Sequence, residues 1–264
     1  MAASPDWTGV TDAIAAAEGE GCILGVAVIS PAGARFSHNG GRGFIAASTV
    51  KIAIMIELFR QVEAGRHSLD TRVPLRIEDR TGGSGVLMHM DPGAAPTLRD
   101  LAYLMMAISD NMATNLLIDT VGQDAVNTAM RSLGMPASVL GRKMRGRPVL
   151  EGEVENTAVP DEYADMIAAI MGRSAASADS CAAMVALLEK QQNDRRLARY
   201  LPRVDRPRWG SKTGSLVGVV NDVGFIMTPT GPLILAVFSE HVADPLAGEA
   251  VIGAIARAAL AAVG

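Results

Sequence analysis

Strand patterns stand at both ends of this chain with a long helical middle between them, and that arrangement limits the fold more than any other feature. Near the N-terminus, Cys22-Ile-Leu-Gly-Val-Ala-Val-Ile29 is short, rich in branched apolar residues and bounded by Gly21 and the Pro31-Ala-Gly33 turn, which predicts a buried strand. Towards the C-terminus, Arg208 to Ser215, Val219 to Thr228 and Leu233 to Ser239 read as strands. The Pro229-Thr-Gly-Pro232 turn predicts that the last two are antiparallel. From about Gly40 to Lys190, helical patterns alternate with Gly- and Pro-rich loops and no strand alternation is visible. The two ends must therefore meet in one antiparallel sheet covered by terminal helices, expected at about Asp6 to Ala17 and Pro245 to Ala262. The expected division is an α/β sheet domain from 1–39 and 195–264, an inserted all-helical domain from 40–194, and a cleft between them.

With 264 residues, 49% hydrophobic and 20% charged, the chain has ample material for a core, which excludes a disordered or collagen-like class. A net charge of −4 supplies no basic stripe for nucleic acid or an anionic membrane surface. No run of roughly 20 uncharged apolar residues predicts a membrane span. Cys22 and Cys181 offer neither a disulfide framework nor metal-ligand spacing and read as buried free thiols, so no metal or cofactor is implied and the expected partner is a small-molecule substrate. The first twelve residues lack a basic segment followed by an apolar one. A cytoplasmic location is expected for the chain as it stands, or a periplasmic or secreted one if a signal was trimmed; oligomeric state is left open.

Only four of the 24 Lys and Arg residues are lysines, at 51, 143, 190 and 212, and two of them fall in short motifs that carry chemistry. Ser48-Thr-Val-Lys51 opens the apolar run Ile52 to Phe59, which predicts a central buried helix. Spacing i, i+3 puts Ser48 and Lys51 on one helix face, and a buried lysine loses basicity until its neutral amine can accept the Ser48 hydroxyl proton, which arginine never does. Taken alone, the motif also fits a capping serine beside a snorkelling lysine. Ser109-Asp110-Asn111 interrupts two helical runs and offers a hydroxyl for proton relay and an amide for a bound carbonyl, or simply a helix cap. Lys212-Thr213-Gly214, followed by Ser215, sits on a predicted strand; it reads as a cationic anchor with a glycine that admits a ligand close to the backbone, or as a solvated edge-strand lysine. His38, His67, His89 and His241 have no companion motif, which argues against a Ser-His-Asp triad.

Together the three motifs resemble those of the class A β-lactamases and the related penicillin-recognising serine hydrolases. The likeness runs through Phe44-Ile-Ala-Ala-Ser48-Thr-Val-Lys51-Ile, Gly83-Ser-Gly-Val-Leu87, Leu98-Arg-Asp-Leu101, Ser109-Asp-Asn-Met-Ala-Thr-Asn-Leu116 and Lys212-Thr-Gly214. It implies an α+β fold of the β-lactamase/transpeptidase type, with a five-stranded antiparallel sheet. It also implies Ser48 as the acylated nucleophile, Lys51 as its base or relay, Ser109 as the shuttle to the leaving atom, and Lys212 with Thr213 as anchors for a substrate carboxylate. Asn111 and Gly214 complete the substrate contacts, and the backbone N–H groups of Ser48 and Ser215 would form the oxyanion hole.

The family's Glu-x-x-Leu-Asn motif, which supplies the deacylating base, is missing from Leu140 to Pro160, and Lys143 or Met144 stands where the glutamate belongs. Glu151, Glu153 and Glu155 follow, either as a replacement base or as a solvated acidic face balancing Arg142, Arg145 and Arg147. Weak β-lactam turnover is therefore expected; an esterase, a DD-peptidase-like enzyme and a penicillin-binding sensor that stays acylated are the alternatives. Met55 and Ala102 occupy the positions of the family's cysteine pair, which fits a reducing compartment. The strand after Gly214 lacks the arginine that many relatives use to hold the carboxylate, which puts carboxylate selectivity in doubt.

Overall fold

A computed structural model describes residues 4–147 and 149–264; Met1 to Ala3 of the expected sheet domain and Pro148 of the 140–160 loop lie outside them. Strands β1 (Ile23–Ile29) and β2 (Arg35–His38) come from the N-terminal part. Two-residue strands β3 (Phe44–Ile45) and β4 (Thr157–Ala158) pair with each other, and β5 (Trp209–Leu216), β6 (Val219–Thr228) and β7 (Gly231–Glu240) follow near the C-terminus. The main sheet has the order β2-β1-β7-β6-β5 and is antiparallel throughout, so the two ends of the chain meet at the β1–β7 pairing. Strand β2 escapes sequence reading because it is a four-residue edge strand with no apolar alternation. Strands β3 and β4 lie inside the region where no strand was expected, and they are too short to carry a period.

Both faces of the sheet are covered, which is why its strands read as continuous apolar runs. On β7, Leu233, Leu235 and Val237 pack on one side, with Val10 and Ile14 of α1 (Thr8–Gly19) and Ile252 and Ile255 of α8 (Pro245–Val263). The alternate residues Ile234, Ala236 and Phe238 pack on the other side, against the helices of the middle region. Helix α8 has the length and mean hydropathy, 1.7 over its window, of a membrane-spanning segment, although Glu249 and Arg257 interrupt its apolar run. Its buried residues cover the sheet, and its Glu249 is ion-paired to Arg196.

In the middle lie α2 (Lys51–Glu63), α3 (Leu98–Ala107), α4 (Asn111–Val121), α5 (Gln123–Ser132), α6 (Pro160–Met171) and α7 (Ala178–Leu188). Helix α2 is central and apolar nearly all round, as its sequence predicts, with Ile52, Ile54, Met55, Ile56 and Leu58 fully buried. Each such side chain stabilises the fold by about 1.5–3 kcal/mol. Their sum offsets the several kcal/mol that desolvating Lys51, the first residue of the same helix, would cost. Thr97 caps α3 in a reciprocal arrangement with Asp100, and Asp110 caps α4 by accepting from the Ala113 N–H. Met55 and Ala102 are both buried, Cys181 is a buried free thiol, and Cys22 is only partly buried, not enclosed as its sequence context suggests.

Candidate active site

Ser48 does not sit on the helix proper. It lies in a 3₁₀ turn, Ala47–Val50, that leads directly into α2. Ala47 has a φ of +48°, a left-handed conformation that costs a non-glycine residue of order 1–3 kcal/mol. Hydrogen bonds to the two residues before it hold it there: Ala46 N–H donates to Asn156 O (2.7 Å) and Asn221 Nδ2 donates to Ile45 O (2.8 Å). Strand β5 runs against this turn. A Cβ on Gly214 would lie 2.9 Å from Ala46 O and 3.2 Å from Ser48 N. The close approach of the chain's own Ser48 turn thus requires a glycine here, and it brings the backbone of β5 alongside the Ser48 amide.

Lys51 is 0% exposed, and its Nζ donates to Ser109 O (2.8 Å), Ser109 Oγ (3.0 Å) and Asn111 Oδ1 (2.9 Å). Among the described residues Ser48 Oγ makes no hydrogen bond. The expected Ser48–Lys51 contact is absent because all three donors of the ammonium are directed at the Ser109–Asn111 segment. Ser109 has a φ of +59°, the second left-handed non-glycine residue of the site, and this twist turns its carbonyl and hydroxyl together onto Lys51. Asp110 caps α4, as the capping reading of this motif has it, and also accepts from Val86 and Leu87 N–H (2.6 and 2.9 Å). Burial holds the Lys51 ammonium well below the usual lysine range; the Lys212 charge lowers it further and Asp110 opposes.

Lys212 is not the solvated edge-strand lysine its sequence allows. It too is 0% exposed, donates to Thr213 O (2.9 Å), and is pushed by burial down to about 7, with Asp222 opposing and Arg196 reinforcing. Asp222 is buried on β6 and accepts from Leu197 N–H (3.1 Å). Arg196, from the loop before β5, donates to Gly214 O (2.8 Å), Asn221 O (2.6 Å) and Ser215 Oγ (2.6 Å), and pairs with Glu249 (3.3 Å). The strand after Gly214 carries no arginine, and Arg196 reaches the Ser215 hydroxyl from a loop instead. Its only trace in the sequence is the Arg195-Arg196 doublet, which no period or spacing distinguishes. Ser109, Thr213, Ser215 and Arg196 line a polar cavity of roughly 520 Å³.

A second cavity, roughly 160 Å³, opens from Ser48 and Asn111 towards the 140–160 loop. Asn115 clamps the main chain of Met144 at its wall, accepting from Met144 N (2.8 Å) and donating to Met144 O (2.9 Å). The Met144 side chain is buried, whereas Lys143 is at the surface and pairs with Asp119 (2.5 Å). Glu151 is exposed. Glu153 is bound by Arg147 through two 2.8 Å hydrogen bonds, which hold its carboxyl down at about 2. Glu155 is bound by Arg142 (2.8 and 3.1 Å). Glu153 and Glu155 thus balance Arg147 and Arg142 as expected, through direct ion pairs, and among the described residues none of the three carboxylates is hydrogen-bonded to Ser48, Lys51 or Ser109.

A family model described as "Beta-lactamase enzyme family" matches residues 10–263. The chain belongs to this family. A crystal structure of a β-lactamase from Sphaerobacter thermophilus DSM 20745 is 57% identical, with a TM-score of 0.96 and 98% of each chain covered. The carbapenem-hydrolysing β-lactamase KPC of Klebsiella oxytoca is 29% identical over 92% of this chain and 85% of its own length. β-Lactamase BRO-1 of Moraxella catarrhalis is 25% identical over 73% of this chain; the match spans 62% of that relative's length. The five-stranded α+β architecture implied by the motifs is the fold of these β-lactamase structures.

Proposed function

We propose that the chain is a serine hydrolase of the class A β-lactamase type, opening β-lactams or related amides and esters through an acyl-enzyme on Ser48. The supporting observation is the convergence of a fully buried, basicity-depressed Lys51 with Ser109 and Asn111 beside Ser48 and the Gly214 backbone. In its neutral form Lys51 accepts the Ser48 proton as the Ser48 Oγ–carbon bond forms. The ring carbon–nitrogen bond then breaks, and Ser109 Oγ, 3.0 Å from Lys51 Nζ, hands a proton to the leaving nitrogen. Ser48 and Ser215 N–H stabilise the carbonyl oxygen as it gains charge, at roughly 3–4 kcal/mol per donor. Lys212, Thr213 and Ser215 receive the substrate carboxylate, with Arg196 adding its charge behind Ser215.

Hydrolysis of the acyl-enzyme needs a base for water. The cavity beside Ser48 presents Met144 there, and Glu153 and Glu155 are committed to arginines. This favours a second reading, in which acylation outruns deacylation and the protein behaves as a penicillin-binding protein that stays acylated. Intact-protein mass spectrometry after mixing with benzylpenicillin tests both. An adduct that Ser48→Ala abolishes supports the acyl-enzyme, and its decay over hours separates the slow reading from the fast one. No adduct and no turnover of a chromogenic cephalosporin, or an adduct that survives Ser48→Ala, overturns the assignment.

A further inference from the structure

From the charge around the cavity between Ser48 and the 140–160 loop, we infer that the preferred acyl side chain is a short aliphatic one ending in a carboxylate. This rests on the acyl-enzyme reading, since it concerns the group left attached to Ser48. Arg142, Lys143, Arg145 and Arg147 line the cavity with Glu155 the only carboxylate among them. Three of these cations are matched: Lys143 by Asp119, Arg147 by Glu153 and Arg142 by Glu155. Arg145 has no ion-pair or hydrogen-bond partner among the described residues. It also borders a neighbouring cavity lined by Glu78, Asp79 and Asp119, yet forms no ion pair with them.

The second observation is independent of the first. The Arg142 side chain is only 10% exposed, and its Nη1 is buried without a hydrogen-bond partner; the nearest carboxylate, Glu153, stands 3.8 Å away. A buried guanidinium N–H without a hydrogen-bond partner leaves the Arg142 charge incompletely matched within the wall of the cavity. Met144, buried and lining the same cavity as Ser48, supplies an apolar surface for methylenes. At roughly 160 Å³ the cavity has room for about five groups of water size, enough for a short chain and its terminal carboxylate. A terminal carboxylate would meet the unmatched charge of Arg145, with the Arg142 guanidinium adding its field from within the cavity wall.

The test compares two isosteric penicillins, one with a glutaryl side chain and one with the corresponding terminal primary amide. Single-turnover acylation of Ser48 is followed by mass spectrometry, so deacylation does not enter. At low salt the acid should acylate about tenfold faster than the amide, equivalent to about 1.4 kcal/mol. The ratio should fall towards one in Arg145→Gln, and also in 1 M salt, where the screening length is about 3 Å. Because the readout is a ratio within each protein, partial loss of folded material does not affect it. Equal rates in the native chain, or a preference that survives both Arg145→Gln and high salt, overturns the inference. If benzylpenicillin labels Ser48 but neither glutaryl compound does, this inference fails alone. If no penicillin labels Ser48, the acyl-enzyme reading fails and the inference with it.

Discussion

Replacing Met144 by glutamate should shorten the lifetime of the Ser48 acyl-enzyme by about 10²–10⁴-fold, the range general-base assistance supplies. In free energy that is about 2.7–5.5 kcal/mol off the deacylation barrier. The geometry favours the change. Asn115 grips the Met144 main chain from both sides, so the new carboxyl inherits a fixed position on the wall of the cavity shared with Ser48 and Asn111. Losing the buried methionine costs about 1.5–3 kcal/mol, and the neighbouring Arg142 and Arg145 offset part of the charge burial, so the variant should fold. The assay is a pulse of benzylpenicillin, removal of excess ligand, and mass spectrometry of the surviving adduct over time. Met144→Gln, equal in size but unable to take a proton, should leave the lifetime near that of the native chain. The reasoning is refuted if the native adduct already decays within seconds, or if folded Met144→Glu and Met144→Gln deacylate alike.

Lys51→Arg should abolish acylation, because it keeps the charge and loses the proton acceptor; labelling by a fluorescent penicillin at near native rate would disprove the role. Acylation by a carboxylate-bearing penicillin should rise with pH as Lys51 becomes neutral and fall above about 7 as Lys212 loses its charge; Lys212→Arg should remove the falling limb in a pH–rate profile. Stability should move the other way over that upper range. The unfolded chain binds more protons than the fold between about 7 and the ordinary lysine value of 10.5, so urea midpoints should climb with pH there, and less so in Lys212→Met. Arg196→Ala leaves buried Glu249 with only Arg195 (3.1 Å) and Asn193 (3.2 Å) and removes hydrogen bonds to Gly214 O, Asn221 O and Ser215 Oγ, so it should destabilise the fold by about 3–5 kcal/mol; a loss below about 1 kcal/mol in chemical denaturation would contradict the buried network.

What the sequence determined by itself is local. Apolar continuity marks β1, β6 and β7 because both faces of their sheet are covered, and the all-round apolar run after Lys51 marks a central helix. Ser48 and Lys51 are three residues apart on adjoining helical turns, so their spacing already says where they stand. Tertiary structure alone decided the rest, since those contacts join segments with no shared period. It turned Lys51 towards Ser109 and Asn111, brought Arg196 from a loop to stand behind Ser215, and explained Gly214 by the turn packed against it. Asn115, 29 residues earlier in the chain, likewise fixes the Met144 backbone at the cavity wall, while Lys143 pairs with Asp119. Spacing and periodicity are properties of one segment, whereas burial, charge matching and the lining of a cavity are properties of several segments that only folding brings together.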